Sequence, residues 1–130
     1  MYHLVFPAKY RRAVITNEVD KTLRDVCLEI EKRFEIIFLE IGAEADHVHM
    51  LIQTVPEYKI SETVKKIKSI TAREIFAKHP EVKKELWGDS FWTAGYYVNT
   101  VGKYTSEQVI REYVKSQGQK SEYEQLYFRM

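Results

Sequence analysis

The sequence predicts an α+β domain: a small antiparallel sheet with helices packed on one face and one further helix at the C-terminal end. Three observations predict it. Two long stretches repeat apolar residues every three or four positions, as amphipathic helices do. Between them lie two consecutive runs rich in β-branched and aromatic residues, separated by a short polar turn. Shorter strand-like runs open the chain and precede the final helical stretch. At 130 residues, 45% apolar and 30% charged, the chain has the length and composition of one folded domain. It divides into a core over 1–104 and a terminal helix and tail over 105–130.

The first strand is short, around His3 to Pro7, and leads into a basic turn. Val19, Leu23, Val26, Ile30 and Phe34 then form one apolar stripe, so Asn17–Arg33 is a helix capped by Thr16 or Asn17. The run EIIFLEIGA reads as a strand ending at Gly42, Glu44 to Asp46 as a turn, and HVHMLIQT as the returning antiparallel strand, stopped by Pro56. A second helix covers roughly Ser61 to Lys78, with Val64, Ile67, Thr71 and Ile75 as its buried stripe and His79-Pro80 as its end. Residues 80–90 are a short turn or helix and loop. SFWTAGYYVNTVG is one bent strand or two short ones, with the break at Gly95. Thr105 and Gln108 make a capping-box pattern that opens a third helix, running to Gln117 and stopping at Gly118. The order β-α-β-β-α-β plus a helix is the ferredoxin-like (RRM-like) plan.

No apolar run approaches the roughly 20 residues of a membrane-spanning helix, and no basic-then-apolar leader opens the chain. Cys27, the single cysteine, falls inside a helical apolar pattern and reads as a buried structural thiol, which suits a reducing cytoplasm. The net charge of +1 alone argues against a nucleic-acid partner, but the charge is segregated. Residues 1–16 carry Lys9, Arg11 and Arg12 with no acid, whereas 17–46 carry nine acids against four bases. Residues 59–73 hold Lys59, Lys65, Lys66, Lys68 and Arg73 against Glu62. Lys9, Arg11, Arg12, Lys65, Lys66, Lys68 and Arg73 are therefore the candidate contacts to a nucleic-acid backbone, with a solvated helix face as the alternative for the second group.

His47 and His49 carry the chemistry. One residue apart in a strand, they project from the same side, while Val48, Met50 and Ile52 turn the other way into a core. Two converging imidazoles are half of a metal site; alone, such a pair is more often polar surface or a satisfied hydrogen-bonding pair. Tyr113 and Gln117 share one face of the third helix at i and i+4. A glutamine carbonyl is a workable ligand for a hard cation and a tyrosine is a nucleophile toward phosphorus, although packing beside Val109 and Ile110 is the alternative for Tyr113. A divalent metal held by His47, His49 and Gln117 would polarise a phosphate for attack by the phenol.

The His47-Val48-His49 motif resembles that of the HUH endonucleases, and Tyr113 with Gln117 resembles the catalytic helix of their single-tyrosine, TnpA-type transposases from the smallest insertion sequences. The opening YHLVFPAKYRR and the segment GYYVNTVG resemble the first strand with its basic turn and the stretch before the tyrosine helix, so the likeness covers nearly the whole chain. The resemblance implies a prokaryotic, cytoplasmic enzyme, nucleoid-associated when bound to DNA, that cuts and rejoins single-stranded DNA at hairpin-bearing element ends. It implies a 5′-phosphotyrosine intermediate, Mg2+ or Mn2+ as cofactor, and a homodimer with composite sites, the histidines of one subunit meeting Tyr113 and Gln117 of the other. A replication or transfer nickase of the same superfamily and a non-catalytic single-strand-binding module are the competing readings. A metal-dependent hydrolase of small molecules would want more ligands near the pair.

Other residues stay open at this level. Asp46 is a turn residue or a carboxylate that orients an imidazole. Trp87, Phe91 and Trp92 are core or stacking surfaces for unpaired bases. Tyr96 and Tyr97 are rival nucleophiles whose strand position favours packing. Gly102 and Lys103, in the link before the third helix, would let that helix swing between subunits.

Overall fold

A computed structural model of the chain describes residues 1–88 and 90–100. The predicted third helix with Tyr113 and Gln117, the tail, and the link containing Gly102 and Lys103 lie outside the described residues. Strand β1 (Tyr2–Pro7) leads through a short 3-10 turn (Lys9–Arg11) to helix α1 (Asn17–Arg33), then to β2 (Ile36–Glu44) and β3 (His47–Thr54). Helix α2 (Ile60–Lys78), the short helix α3 (Pro80–Glu85) and β4 (Tyr97–Thr100) follow. The strands form one sheet in the order β2-β3-β1-β4, each pair antiparallel, as the ferredoxin-like plan requires.

Helix α1 begins where its cap predicts: Thr16 Oγ1 accepts from the Val19 backbone N–H at 3.2 Å, satisfying one of the orphan donors of the first turn. Its apolar stripe, Val19, Leu23, Val26 and Ile30, is buried together with Val64, Ile67 and Ile75 of α2. Both stripes pack onto Leu4, Phe6, Val48, Met50 and Ile52, which are the alternate residues of the two central strands, in a single core cluster. Cys27 is buried in the same layer, and desolvation, with a smaller push from Glu31, raises its thiol to about 12, so it is an inert packing group.

Strand β2 does not end at Gly42. It continues to Glu44, and the turn contracts to Ala45 and Asp46. The register slips once, between Phe38 and Glu40, leaving Leu39 as the extra residue of a bulge that packs beside Leu51. Trp92 bridges to Ala8, the chain then leaves the sheet, and β4 starts at Tyr97, so the segment after Ser90 is two short pieces. The Lys68 ammonium holds the bend between them, donating to the carbonyls of Thr93 at 2.7 Å, Ala94 at 3.2 Å and Gly95 at 3.4 Å. Burial, with a smaller contribution from the Lys9 cation, keeps Lys68 below the ordinary ammonium range. Among the described residues, no helix is long and apolar enough to cross a membrane.

Candidate active site

The face of the sheet turned away from α1 and α2 is made by the remaining alternate residues: His3 and Val5 of β1, His47, His49 and Leu51 of β3, and Tyr97 of β4. His47 and His49 project together as the strand alternation predicts. Their ring centroids lie 6.4 Å apart at an interplanar angle of 34°, and both side chains are buried.

Each ring is positioned by a different local device. Asp46 sits in the hairpin turn, where its backbone carbonyl accepts from the Ala8 N–H at 2.9 Å. Its Oδ1 lies 2.8 Å from His47 Nδ1. A carboxylate can only accept there, so Nδ1 carries the proton and Nε2 is the nitrogen a metal would take. The other oxygen of Asp46 faces Arg11 Nη2 at 3.3 Å. Burial by itself would raise the Asp46 carboxyl, but its hydrogen bond to His47 and the Arg11 charge outweigh that and hold it below the usual carboxylate value. Asp46 is thus both turn residue and orienting carboxylate.

His49 is positioned by an absence. It pairs across the ladder with Gly42, and a Cβ on Gly42 would fall onto Cε1 and Nε2 of the imidazole. Glycine is required inside β2 because this ring lies over the backbone, which is why a residue that reads as a strand terminator stands mid-strand. Desolvation, followed by the charges of His3, His47 and Arg24, pushes the His49 imidazole down to about 4, so it is neutral at physiological pH and able to act as a ligand. Its buried Nδ1 has no hydrogen-bond partner among the described residues.

Two buried imidazoles, one oriented by a carboxylate and one with an unmatched nitrogen, suit a borderline divalent cation. Among the described residues no three His, Cys, Asp or Glu side chains cluster, so they supply part of a ligand set. A third histidine joins the same face: the His3 ring stands edge-on to His49 with centroids 6.3 Å apart and lies 6.1 Å from the Tyr97 ring. Burial lowers His3 to about 4 as well. Sequence reading passed over His3, because its neighbourhood depends on β1 pairing with β3, and no residue in the YHLVFP run specifies that partner.

The candidate DNA contacts separate into two groups. Lys9, Arg11 and Arg12 follow β1 at the histidine end of the sheet, Arg11 touching Asp46. Lys65, Lys66 and Arg73 are exposed on α2, which packs against the opposite face. Lys66 Nζ lies over the rings of Phe34, at 4.6 Å, and Tyr58, at 5.3 Å. Lys68 is engaged by the carbonyls of the 93–95 bend. The aromatics also separate: Phe91 and Trp92 are core, Trp92 donating through Nε1 to Thr71 Oγ1 at 2.9 Å, whereas Trp87 is 70% exposed. Tyr97 is buried beside Val5, which leaves it a packing residue, and Tyr96 is at the margin of exposure.

A four-stranded antiparallel sheet with a histidine-lined face and a basic turn at one end defines a class, and comparison with known proteins places the chain within it. The sequence pattern of the IS200-like transposases matches residues 1–117. The chain is 36% identical to the ISDra2 transposase TnpA of Deinococcus radiodurans over 121 residues, 92% of this chain and 84% of that one. It is 31% identical over 116 residues to the transposase of insertion sequence element IS200 from Salmonella typhimurium, 89% of this chain and 75% of the other. A crystal structure of a candidate transposase from Deinococcus radiodurans R1 superposes with a TM-score of 0.72 at 32% identity, covering 89% of this chain and 88% of that chain. A REP-associated tyrosine transposase bound to a REP hairpin shares the fold, with a TM-score of 0.56 at 14% identity over 87% of this chain and 61% of that one. The chain belongs to the IS200-like transposase family.

Proposed function

We propose that this transposase cuts and rejoins single-stranded DNA at the hairpin-bearing ends of an insertion sequence, with Tyr113 as nucleophile, in the cytoplasm and on the nucleoid. In this reading the working unit is a homodimer in which His47 and His49 of one subunit meet Tyr113 and Gln117 of the other, and Gly102 and Lys103 let the tyrosine helix exchange between subunits. The REP-associated neighbour carries a hairpin in its solved form, and we extend that substrate class to this chain.

His47, His49 and Gln117 would hold Mg2+ or Mn2+, which when bound supplies Lewis-acid polarisation of the scissile phosphate. Asp46 fixes the tautomer and rotation of His47, and Gly42 leaves the space in which His49 stays in place. The Tyr113 phenolic oxygen attacks phosphorus and the P–O3′ bond breaks, giving a 5′-phosphotyrosine and a 3′-hydroxyl that keeps the proton balance. A 3′-hydroxyl from another end then attacks the adduct and returns the tyrosine. One phosphodiester is broken and one formed, so no nucleotide cofactor is consumed. Lys9, Arg11 and Arg12 would hold the strand near the reacting phosphate. Lys65, Lys66 and Arg73, exposed on α2, would contact backbone on the far side of the sheet, away from that phosphate, while Lys68, taken up by the 93–95 carbonyls, would hold that bend in place.

The observation that carries this reading is the pair of buried imidazoles with Asp46 and Gly42 shaped around them, in a chain of this family. The test is incubation of the full chain with single-stranded DNA from the locus flanking its gene, with and without Mn2+, and denaturing electrophoresis. A covalent protein–DNA species that requires metal and disappears in Tyr113→Phe is expected. Adduct that persists undiminished in Tyr113→Phe would remove the nucleophile, and metal-indifferent binding without adduct would favour a non-catalytic module.

A further inference from the structure

Two exposed aromatic residues stand at the histidine end of the sheet in backbone conformations that cost the fold energy. Tyr10 and Trp87 have φ of 60° and 53°, in the left-handed region that side chains other than glycine disfavour. Burial returns little of that cost, because Tyr10 is 54% and Trp87 70% exposed. The left-handed turns bring the two rings together edge to face, with centroids 5.4 Å apart. Cations hold both: the Arg12 guanidinium lies 5.0 Å from the centre of the Trp87 ring and Lys9 Nζ lies 5.6 Å from that of Tyr10. The two loops are tied at their bases, where the Lys9 N–H donates to the Phe91 carbonyl at 2.8 Å and Ala8 bridges Trp92.

The platform is joined to the histidines. Residues 9–12 continue β1 directly past Pro7, the ladder partner of His47, and Arg11 reaches Asp46, which holds the His47 ring. Around the aromatic pair, Lys83 and Lys84 of α3 border a cavity of about 320 Å³ that Trp87 and Gly88 also line; Glu81 and Glu85 are the acids of that helix. Among the described residues here, Lys9, Arg11, Arg12, Lys83 and Lys84 outnumber Asp46, Glu81 and Glu85, which favours a polyanion over an apolar protein surface.

We propose that Tyr10 and Trp87 form a stacking platform for an unpaired base of the DNA strand whose phosphate is presented to the histidine pair, with Lys9 and Arg12 fixing the rings and the flanking backbone. This rests on the single-stranded-DNA reading above. Base–aromatic stacking tolerates any sequence, so the platform would hold strand position and leave sequence choice to other contacts.

The test is binding of a fluorescently labelled oligothymidylate to the full chain in EDTA, where no cleavage intervenes, followed by anisotropy and by tryptophan emission. The chain has two tryptophans, of which Trp92 is buried, so quenching reports Trp87. Wild-type emission should fall on binding, Trp87→Ala and Tyr10→Ala should each weaken affinity by about 10- to 100-fold, and Trp87→Phe should restore most of it. Wild-type affinity in both alanine variants with unquenched Trp87 overturns the platform while leaving the transposase reading intact. No binding of oligothymidylate by the wild-type protein also overturns the platform, whereas the transposase reading falls only if hairpin-bearing DNA with Mn2+ gives no adduct. Loss of dimer in sedimentation with DNA affinity retained in Trp87→Ala assigns the patch to a protein contact and overturns the proposal.

Discussion

The two faces of the sheet are drawn from the same strands and are buried to the same degree, yet they are built for opposite ends. On the helix face, Leu4, Phe6, Val48, Met50 and Ile52 meet the stripes of α1 and α2, and each contact removes apolar surface from water. On the other face, His3, His47 and His49 occupy equally buried positions with polar atoms, His49 Nδ1 being unmatched among the described residues. Burying imidazole nitrogens costs free energy that a valine at the same position would not. The difference teaches that one face stabilises the fold and the other gives up stability to hold three imidazoles close together on the sheet.

The comparison can be broken first on the helix face. Phe6→Ala removes a fully buried ring and should lower stability by about 3–5 kcal/mol in urea denaturation. A loss below about 1 kcal/mol would mean that this layer is not the core.

Acid should act on the other face. The folded values of His3 and His49, near 4, lie below the 6.5 of an imidazole in water. The unfolded chain therefore takes up protons first, so their contribution is complete above pH 6.5 and is lost as pH falls toward 4, by up to about 3 kcal/mol for each. Urea midpoints measured across that window should fall, and the His3→Gln, His49→Gln double variant should flatten the decline. An unchanged slope in the double variant would place the acid sensitivity elsewhere.

Smaller changes sharpen the contrast by moving one ring at a time. Gly42→Ala puts a methyl group where the His49 ring lies, so it should cost about 1–3 kcal/mol of stability and lower Mn2+ affinity, read by calorimetry. Asp46→Asn keeps the turn but weakens the hold on His47, and should reduce metal affinity by about 10- to 100-fold with little change in melting temperature. Equal metal affinity in both variants would show that these rings are not ligands.

Much of the helix face was legible from the chain alone, because its information is local and repeated. The Val19–Ile30 stripe and the Thr16 hydroxyl place α1 within a residue, and Val64, Ile67, Thr71 and Ile75 do the same for α2. The histidine face was legible only in part. The alternation of His47 and His49 is local and survives in the structure, but the partners of those rings come from register. Gly42 has a meaning only once β2 is laid beside β3, and His3 enters only when β1 pairs with β3. The same holds for the aromatics: Trp92 is core because the Thr71 hydroxyl meets its N–H, while Trp87, five residues earlier, is exposed by a left-handed turn that no pattern of apolar residues marks. Lys68 looks like its neighbours along the sequence and differs because three carbonyls of a distant bend converge on it.

The central claim is that the histidine face is the metal-binding half of a DNA-cleaving site. The most direct measurement is Mn2+-dependent covalent adduct formation by the full chain carrying His47→Ala and His49→Ala, with its melting temperature recorded at pH 8. The account predicts loss of adduct by at least about 100-fold, with a drop in melting temperature smaller than that of Phe6→Ala. Adduct at the wild-type level in a folded double variant would contradict it.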